Sequence, residues 1–178
     1  MQKGYLTKGL YPQELLSHPM FIEIDGWMAK LRFSACHFIP NHPKCGCLHG
    51  HTYAISVRLE GEQVGEFIID FEMVKGIINR ICDRLDHRVL IAEKDRRLRI
   101  GRDEEVSIEI IESKKRYVLP AEDVVFLPTG SVSAEDLCKY FTAEVAKALR
   151  SNGADNIKKI QVRVDEGIGQ GAGCESGI

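Results

Sequence analysis

Four of the six histidines in this chain of 178 residues, His37, His42, His49 and His51, fall within fifteen positions, with Cys45 and Cys47 among them. Imidazole is the commonest metal ligand, and a thiol beside a cation ionises readily, so the grouping predicts a zinc site next to a reactive cysteine. Catalytic zinc takes three protein ligands and keeps one position open, and His37, His49 and His51 supply such a set. The competing arrangement is a closed structural set of Cys45, Cys47, His49 and His51. Extended backbone advances ~3.3 Å per residue, so those four would string out over ~20 Å unless Gly46 and Gly50 let the chain curl. Only a thiolate can take a proton or attack, so Cys45 needs a helper, and Lys44, a metal, or the Asp86-His87 pair is available.

The elements that must hold these residues are read from hydrophobic period. Residues 1–19 mix Gly4, Gly9, Pro12 and Pro19 with polar residues and read as an irregular arm. Residues 21–24 are extended, and Leu31, Phe33 and Ala35 alternate with polar neighbours, which puts His37 on their inward face at a strand end. A second strand over Thr52–Leu59 follows a short connection and is expected antiparallel to the first, with His49 and His51 on one face at its entry. Asp70 caps a helix carrying Phe71, Val74, Ile77, Ile78 and Ile81 on one stripe, ending near 83–85 just before Asp86-His87.

Residues 92–119 are charge-dense around an alternating Val106, Ile108 and Ile110 and read as a solvated inserted hairpin. Ser133 opens a second helix through Leu137, Tyr140, Phe141, Val145 and Leu149, and a strand through Ile160, Val162 and Val164 ends on Glu166. No element is assigned to the glycine-rich stretch 167–173. The expected fold is α+β, an antiparallel sheet with two helices on one face, in a single domain over 1–178.

Composition narrows the function. With 44% hydrophobic residues the chain can bury a core, and a net charge of −2 gives no electrostatic footprint for nucleic acid or an anionic membrane. No apolar run reaches the ~20 residues of a membrane span, no signal-peptide pattern opens the chain, and a cytoplasmic protein with free thiols is expected, Cys82 and Cys138 being inert core residues.

Several landmarks now fall in one order: Phe33-Ser34-Ala35-Cys36-His37, Cys45 with three residues before His49-Gly50-His51, Ile69-Asp70-Phe71, Leu85-Asp86-His87, Ser133-Ala134-Glu135-Asp136-Leu137 and Val164-Asp165-Glu166. The set resembles the family of 6-pyruvoyl- and 6-carboxy-tetrahydropterin synthases. The resemblance implies a tunnelling fold in which subunits pool their sheets into a barrel, as a homohexamer built from two trimers. It also implies zinc on His37, His49 and His51, 7,8-dihydroneopterin triphosphate as substrate, and Cys45 as base, with Asp86 and His87 as a relay across a subunit boundary. Glu166 would anchor the pterin, with Glu135 and Ser133 helping to hold its ring.

The Cys45–His49 spacing resembles the carboxy branch, which releases acetaldehyde and triphosphate and feeds 7-deazaguanine synthesis for modified tRNA bases (queuosine and archaeosine). The alternatives are the pyruvoyl branch, which eliminates triphosphate, and a zinc-stabilised module without catalysis. The chain departs from the family pattern at Ser133-Ala134, where threonine is common, at the second thiol Cys47, and in the length of the 92–119 insertion.

Overall fold

Alternating burial builds the central sheet. In the computed structural model, which describes residues 20–178, Leu31, Phe33, Ala35 and His37 are buried while Arg32 between them is exposed. The arm expected over 1–19 lies outside the described residues. The elements bearing on the site are β1 (Met20–Ile24), β2 (Arg32–His37), β3 (His49–Gly61), α1 (Phe71–Leu85), β4 (Arg88–Ala92), β5 (Leu98–Arg102), β6 (Glu105–Ile110), β7 (Arg116–Pro120), β8 (Val124–Leu127), α2 (Ala134–Ser151), β9 (Ile157–Asp165) and β10 (Gly171–Gly177).

Both helices begin where their caps predict. The Asp70 carboxylate accepts the Glu72 amide at 2.7 Å, and the Ser133 hydroxyl accepts the Asp136 amide at 3.5 Å. Such a cap contributes about 1 kcal/mol by satisfying a donor that the first turn leaves open. Val74, Ile77, Ile78 and Ile81 of α1 and Leu137, Phe141, Val145 and Leu149 of α2 share one core with Phe33, Tyr53, Ile55 and Val162 of the sheet. The two helices thus cover the same face, and the fold is α+β as expected. Cys82 and Cys138 lie in this core, where burial pushes both thiols up to about 12.

The sheet runs in the order β10-β9-β3-β2-β4-β8, with β1 also paired to β3. It is mixed. β2 and β3 are antiparallel as expected, but β4 lies parallel to β2, and β8 parallel to β4. Parallel neighbours need a long crossover, and the insertion between β4 and β8 is that crossover. β4 escapes the alternation rule because its Leu90, Ile91 and Ala92 are all buried in succession. β10 escapes it because three of its seven residues are glycine, yet it pairs with β9 along its whole length. A Cβ at Gly171 would collide with the Val164 carbonyl and the Asp165 side chain, so glycine there permits the pairing.

The insertion differs from the solvated hairpin that its charge suggests. β5, β6 and β7 form a three-stranded antiparallel sheet with one dry face. Val106, Ile108 and Ile110 pack with Phe38 and Ile91 in a second core, and the Tyr117 ring stacks on Phe38 at 5.0 Å between centroids. The charged residues occupy the other side, as in the pair of Arg99 with Glu109 at 3.1 Å.

Candidate active site

The β2–β3 register brings the histidines together. His37, the last residue of β2, pairs with His49, the first of β3, and Ala35 pairs with His51. With side chains alternating along each strand, all three rings project on the helix-covered face. A ring nitrogen from each lies within 4.8 Å of the other two.

Two of the rings have assigned tautomers. His37 Nδ1 lies 2.7 Å from the Val132 carbonyl oxygen, and His49 Nδ1 lies 2.7 Å from the Cys47 carbonyl oxygen. A carbonyl only accepts, so each Nδ1 carries the hydrogen and each Nε2 keeps its lone pair for another partner. His37 Nε2 is buried with no hydrogen-bond partner, an orphan that a bound cation would satisfy. Burial lowers the pKa of His37 to about 4, so the ring is neutral near pH 7, the form that ligates. Three clustered imidazoles, two of them with Nε2 turned away from their carbonyl partners, fit a zinc ion. Tyr53, stacked on Phe33 at 4.8 Å and edge-on to His51 at 5.6 Å, forms the aromatic floor beneath them.

The lowered pKa has a measurable consequence in the metal-free protein. As pH falls below 6.5 the unfolded chain takes up a proton at His37 that the folded chain refuses until about 4. Stability is therefore lost across that window, by about 3 kcal/mol for this one group. Urea denaturation in chelator at pH 7 and pH 4 should show that loss in the native chain, and correspondingly less of it in His37→Asn.

Cys45 sits on the loop between β2 and β3. That loop folds back on itself, with the Ile39 amide on the Cys45 carbonyl at 2.7 Å and the Gly46 amide on the His42 carbonyl at 3.0 Å. His42 acts as a turn residue, its Nδ1 accepting the Cys45 amide at 2.9 Å. A Cβ at Gly46 would stand 2.5 Å from the His42 carbonyl oxygen, so glycine allows the turn to close. Cys47 points elsewhere, its Sγ 3.6 Å from Lys115 Nζ.

A cleft of about 450 Å³ joins these parts, lined by His37, His49 and Cys45 with Ser133, Glu135, Glu166 and Gln170. β9 last pairs with β3 at Asp165 opposite Ala54, so Glu166 leaves the sheet beside the histidine-bearing end of β3. Its Oε1 lies 4.0 Å from His37 Nε2, and burial raises its pKa. Ser133 and Glu135 reach the cleft from the start of α2, where the Ser133 hydroxyl holds the Glu135 carboxyl below the usual carboxylate range.

Asp86 and His87 form an oriented pair, but not in this cleft. Asp86 Oδ1 accepts the Ser34 amide at 2.7 Å while Oδ2 accepts from His87 Nδ1 at 2.8 Å. The Ser34 amide, with the His87 imidazole beside it, holds the Asp86 carboxyl below its ordinary value. His87 has a left-handed backbone, φ 57°, at the position after the α1 cap where glycine is usual, and its own amide donates to the Ser34 carbonyl at 2.6 Å. The pair opens on a second cleft of about 550 Å³, lined by His51, Thr52, His87 and Asp123, so Cys45 and His87 of one chain line separate clefts.

Of the residues singled out in the sequence, the fold gathers His37, His49, Cys45, Ser133, Glu135 and Glu166 in one cleft, makes His51 a member of the histidine nest, and leaves Asp86 and His87 outside. Reasoning from sequence passed over Gln170, hidden in a glycine-rich stretch, and the floor residue Tyr53. It assigned His42 no duty, for which the two flanking prolines, Pro40 and Pro43, are the only local sign of a tight turn.

An α+β tunnelling fold with a three-histidine nest at the end of a β-ribbon describes the class. The sequence pattern of the family described as 6-pyruvoyl tetrahydropterin synthase matches residues 28–176, and the chain belongs to that family of enzymes. A protein of Methanocaldococcus jannaschii named "Putative 6-carboxy-5,6,7,8-tetrahydropterin synthase" is 42% identical over 156 residues, covering 86% of this chain and 94% of that protein. One of the same name from Pyrococcus horikoshii is 34% identical over 139 residues, covering 75% and 79%. Among solved structures, a 6-pyruvoyltetrahydropterin synthase of Plasmodium vivax, with a catalytic glutamate replaced by alanine, superposes with a TM-score of 0.83 at 25% identity, covering 91% of this chain and all of that one. Among the described residues, no helix is long and apolar enough to cross a membrane.

Proposed function

We propose that this enzyme converts 7,8-dihydroneopterin triphosphate and water to 6-carboxy-5,6,7,8-tetrahydropterin, acetaldehyde and triphosphate, with zinc as its metal, in the route to 7-deazaguanine bases. The observation that carries the reading is the single cleft in which Cys45 and Glu166 accompany two of three clustered histidines. The names of the relatives that match most of the chain support the carboxy branch.

Each residue has work suited to its chemistry. His37, His49 and His51 would hold zinc, which supplies Lewis acidity toward the hydroxyls of the substrate side chain. Cys45, on a loop rather than in the sheet, accepts a carbon-bound proton. Glu166 receives hydrogen bonds from the guanidine-like edge of the pterin, a pairing suited to a carboxylate, while Glu135 and Ser133 border the ring. Asp86 keeps the His87 Nδ1 hydrogen in place, leaving Nε2 to exchange protons with Cys45 of another subunit. The separation of Cys45 and His87 into two clefts of one chain supports that division of labour, and with it a homo-oligomer assembled as a hexamer of two trimers.

The likeness to a 6-pyruvoyltetrahydropterin synthase structure favours a second reading, triphosphate elimination with the three-carbon side chain kept. Incubating the purified protein with zinc and 7,8-dihydroneopterin triphosphate and identifying products by mass spectrometry decides. Carboxy-tetrahydropterin with acetaldehyde is the expected outcome; pyruvoyl-tetrahydropterin selects the second reading, and an unconsumed substrate rejects both.

A further inference from the structure

The loop that carries Cys45 is held from outside at three points, all by the same insertion. At its start, Phe38 is 2% exposed and sunk among Val106, Ile108 and Ile110, its ring against Tyr117. In its middle, Arg97 Nη1 donates to the Pro40 carbonyl at 3.1 Å. Arg97 is itself fixed by buried Asp95, whose carboxylate accepts from Arg97 Nε at 2.8 Å and Nη2 at 2.7 Å. At its end, Lys115 Nζ lies 3.4 Å from the Gly46 carbonyl oxygen and 3.6 Å from Cys47 Sγ, with its ammonium 5.3 Å from the centre of the Tyr117 ring. Gly46 immediately follows Cys45.

We infer that the β5–β7 insertion is a clamp on the Cys45 loop and that Lys115 and Arg97 are positioning residues for the base. The inference rests on the proposed role of Cys45. A side chain on a loop keeps its rotamers and backbone freedom unless something outside the loop removes them, and a misplacement of about 1 Å at a reacting group can cost on the order of 100-fold in rate. The loop's own hydrogen bonds close its turn. Toward the histidine nest the loop is tied by the Cys47 carbonyl on His49 Nδ1, two residues past Cys45, and the contacts of the insertion hold the rest of the turn. The insertion packs on β4 through Ile91, and β4 is a neighbour of β2, so the clamp refers the loop back to the strand that ends in His37.

Lys115→Met keeps the length and apolar stem of the side chain and removes the ammonium. It should lower kcat by about 10- to 100-fold with KM within about twofold, leave bound metal unchanged, and speed hydrogen exchange at the Ile39 and Gly46 amides. Lys115→Arg, which can still donate to the Gly46 carbonyl, should recover most of the lost rate and the slow exchange. Native kcat in a Lys115→Met protein whose loop amides exchange faster would overturn the positioning role, and unchanged exchange would overturn the clamp itself. Should the native chain consume no pterin, the assigned reaction fails on its own, and hydrogen exchange still decides whether the clamp exists.

Discussion

Cys45→Ala should lose turnover by about 10²–10⁴-fold, the usual contribution of a positioned general base, while its metal content and sedimentation stay those of the native protein. Three features separate the thiol from the scaffold. It is half-buried on a loop, outside every strand. The hydrogen bond that sets the His49 tautomer comes from the Cys47 carbonyl, a backbone group that the substitution leaves in place. The amide that joins residue 45 to His42 Nδ1 is also backbone, so alanine retains the turn. Steady-state rates, elemental analysis and analytical ultracentrifugation test this together. Retained turnover would remove Cys45 from its role, and loss of metal with loss of fold would revive the closed cysteine-histidine set.

His49→Ala should lose the metal and, with it, the activity, yet remain folded. Outer-sphere partners of a metal ligand typically contribute about 10- to 100-fold in affinity, and removal of a ligand should exceed that. The ring is half-exposed at the first position of β3, so little apolar packing goes with it. The backbone pairing with His37 that it contributes to the ribbon is kept by alanine. Elemental analysis after dialysis, set beside circular dichroism and thermal unfolding, checks the prediction. Native metal content in the variant would mean that the nest holds its ion through other donors.

The histidine nest was legible before the fold because two local rules suffice for it. Alternation from Leu31 to Ala35 points His37 inward, and a spacing of two puts His49 and His51 on one face. The short loop between the strands then makes them antiparallel neighbours. Both helices were legible for the same reason, since Asp70 and Ser133 announce their starts and a regular stripe follows. What stayed hidden depends on partners distant in sequence. β4 has no alternation because helices and insertion bury it from both sides, and β10 has no propensity for a strand and is held by β9. The charges of the insertion mark only one of its faces, and the dry face behind them is closed by Phe38, more than sixty positions upstream of Val106. The distance between Cys45 and the Asp86-His87 pair has no sequence signal, since it depends on where α1 ends relative to Ser34.

The register of β2 on β3 has a wider meaning for how such a site can change over evolutionary time. Because alternate residues face opposite sides, a slip of one residue would turn the His49 and His51 rings out toward the uncovered face and bring Gly50 and Thr52 in. An insertion or deletion of one residue beside the nest, where His37 pairs with His49 and Ala35 with His51, therefore destroys it, whereas loop side chains such as those of Lys44 and Cys45 can change while the backbone keeps the Cys47 carbonyl on His49 Nδ1. The histidines belong to the sheet, and Cys45, the proposed base, belongs to the loop. One lineage can keep the first and exchange the second, so that altering the chemistry of the cleft requires no new fold.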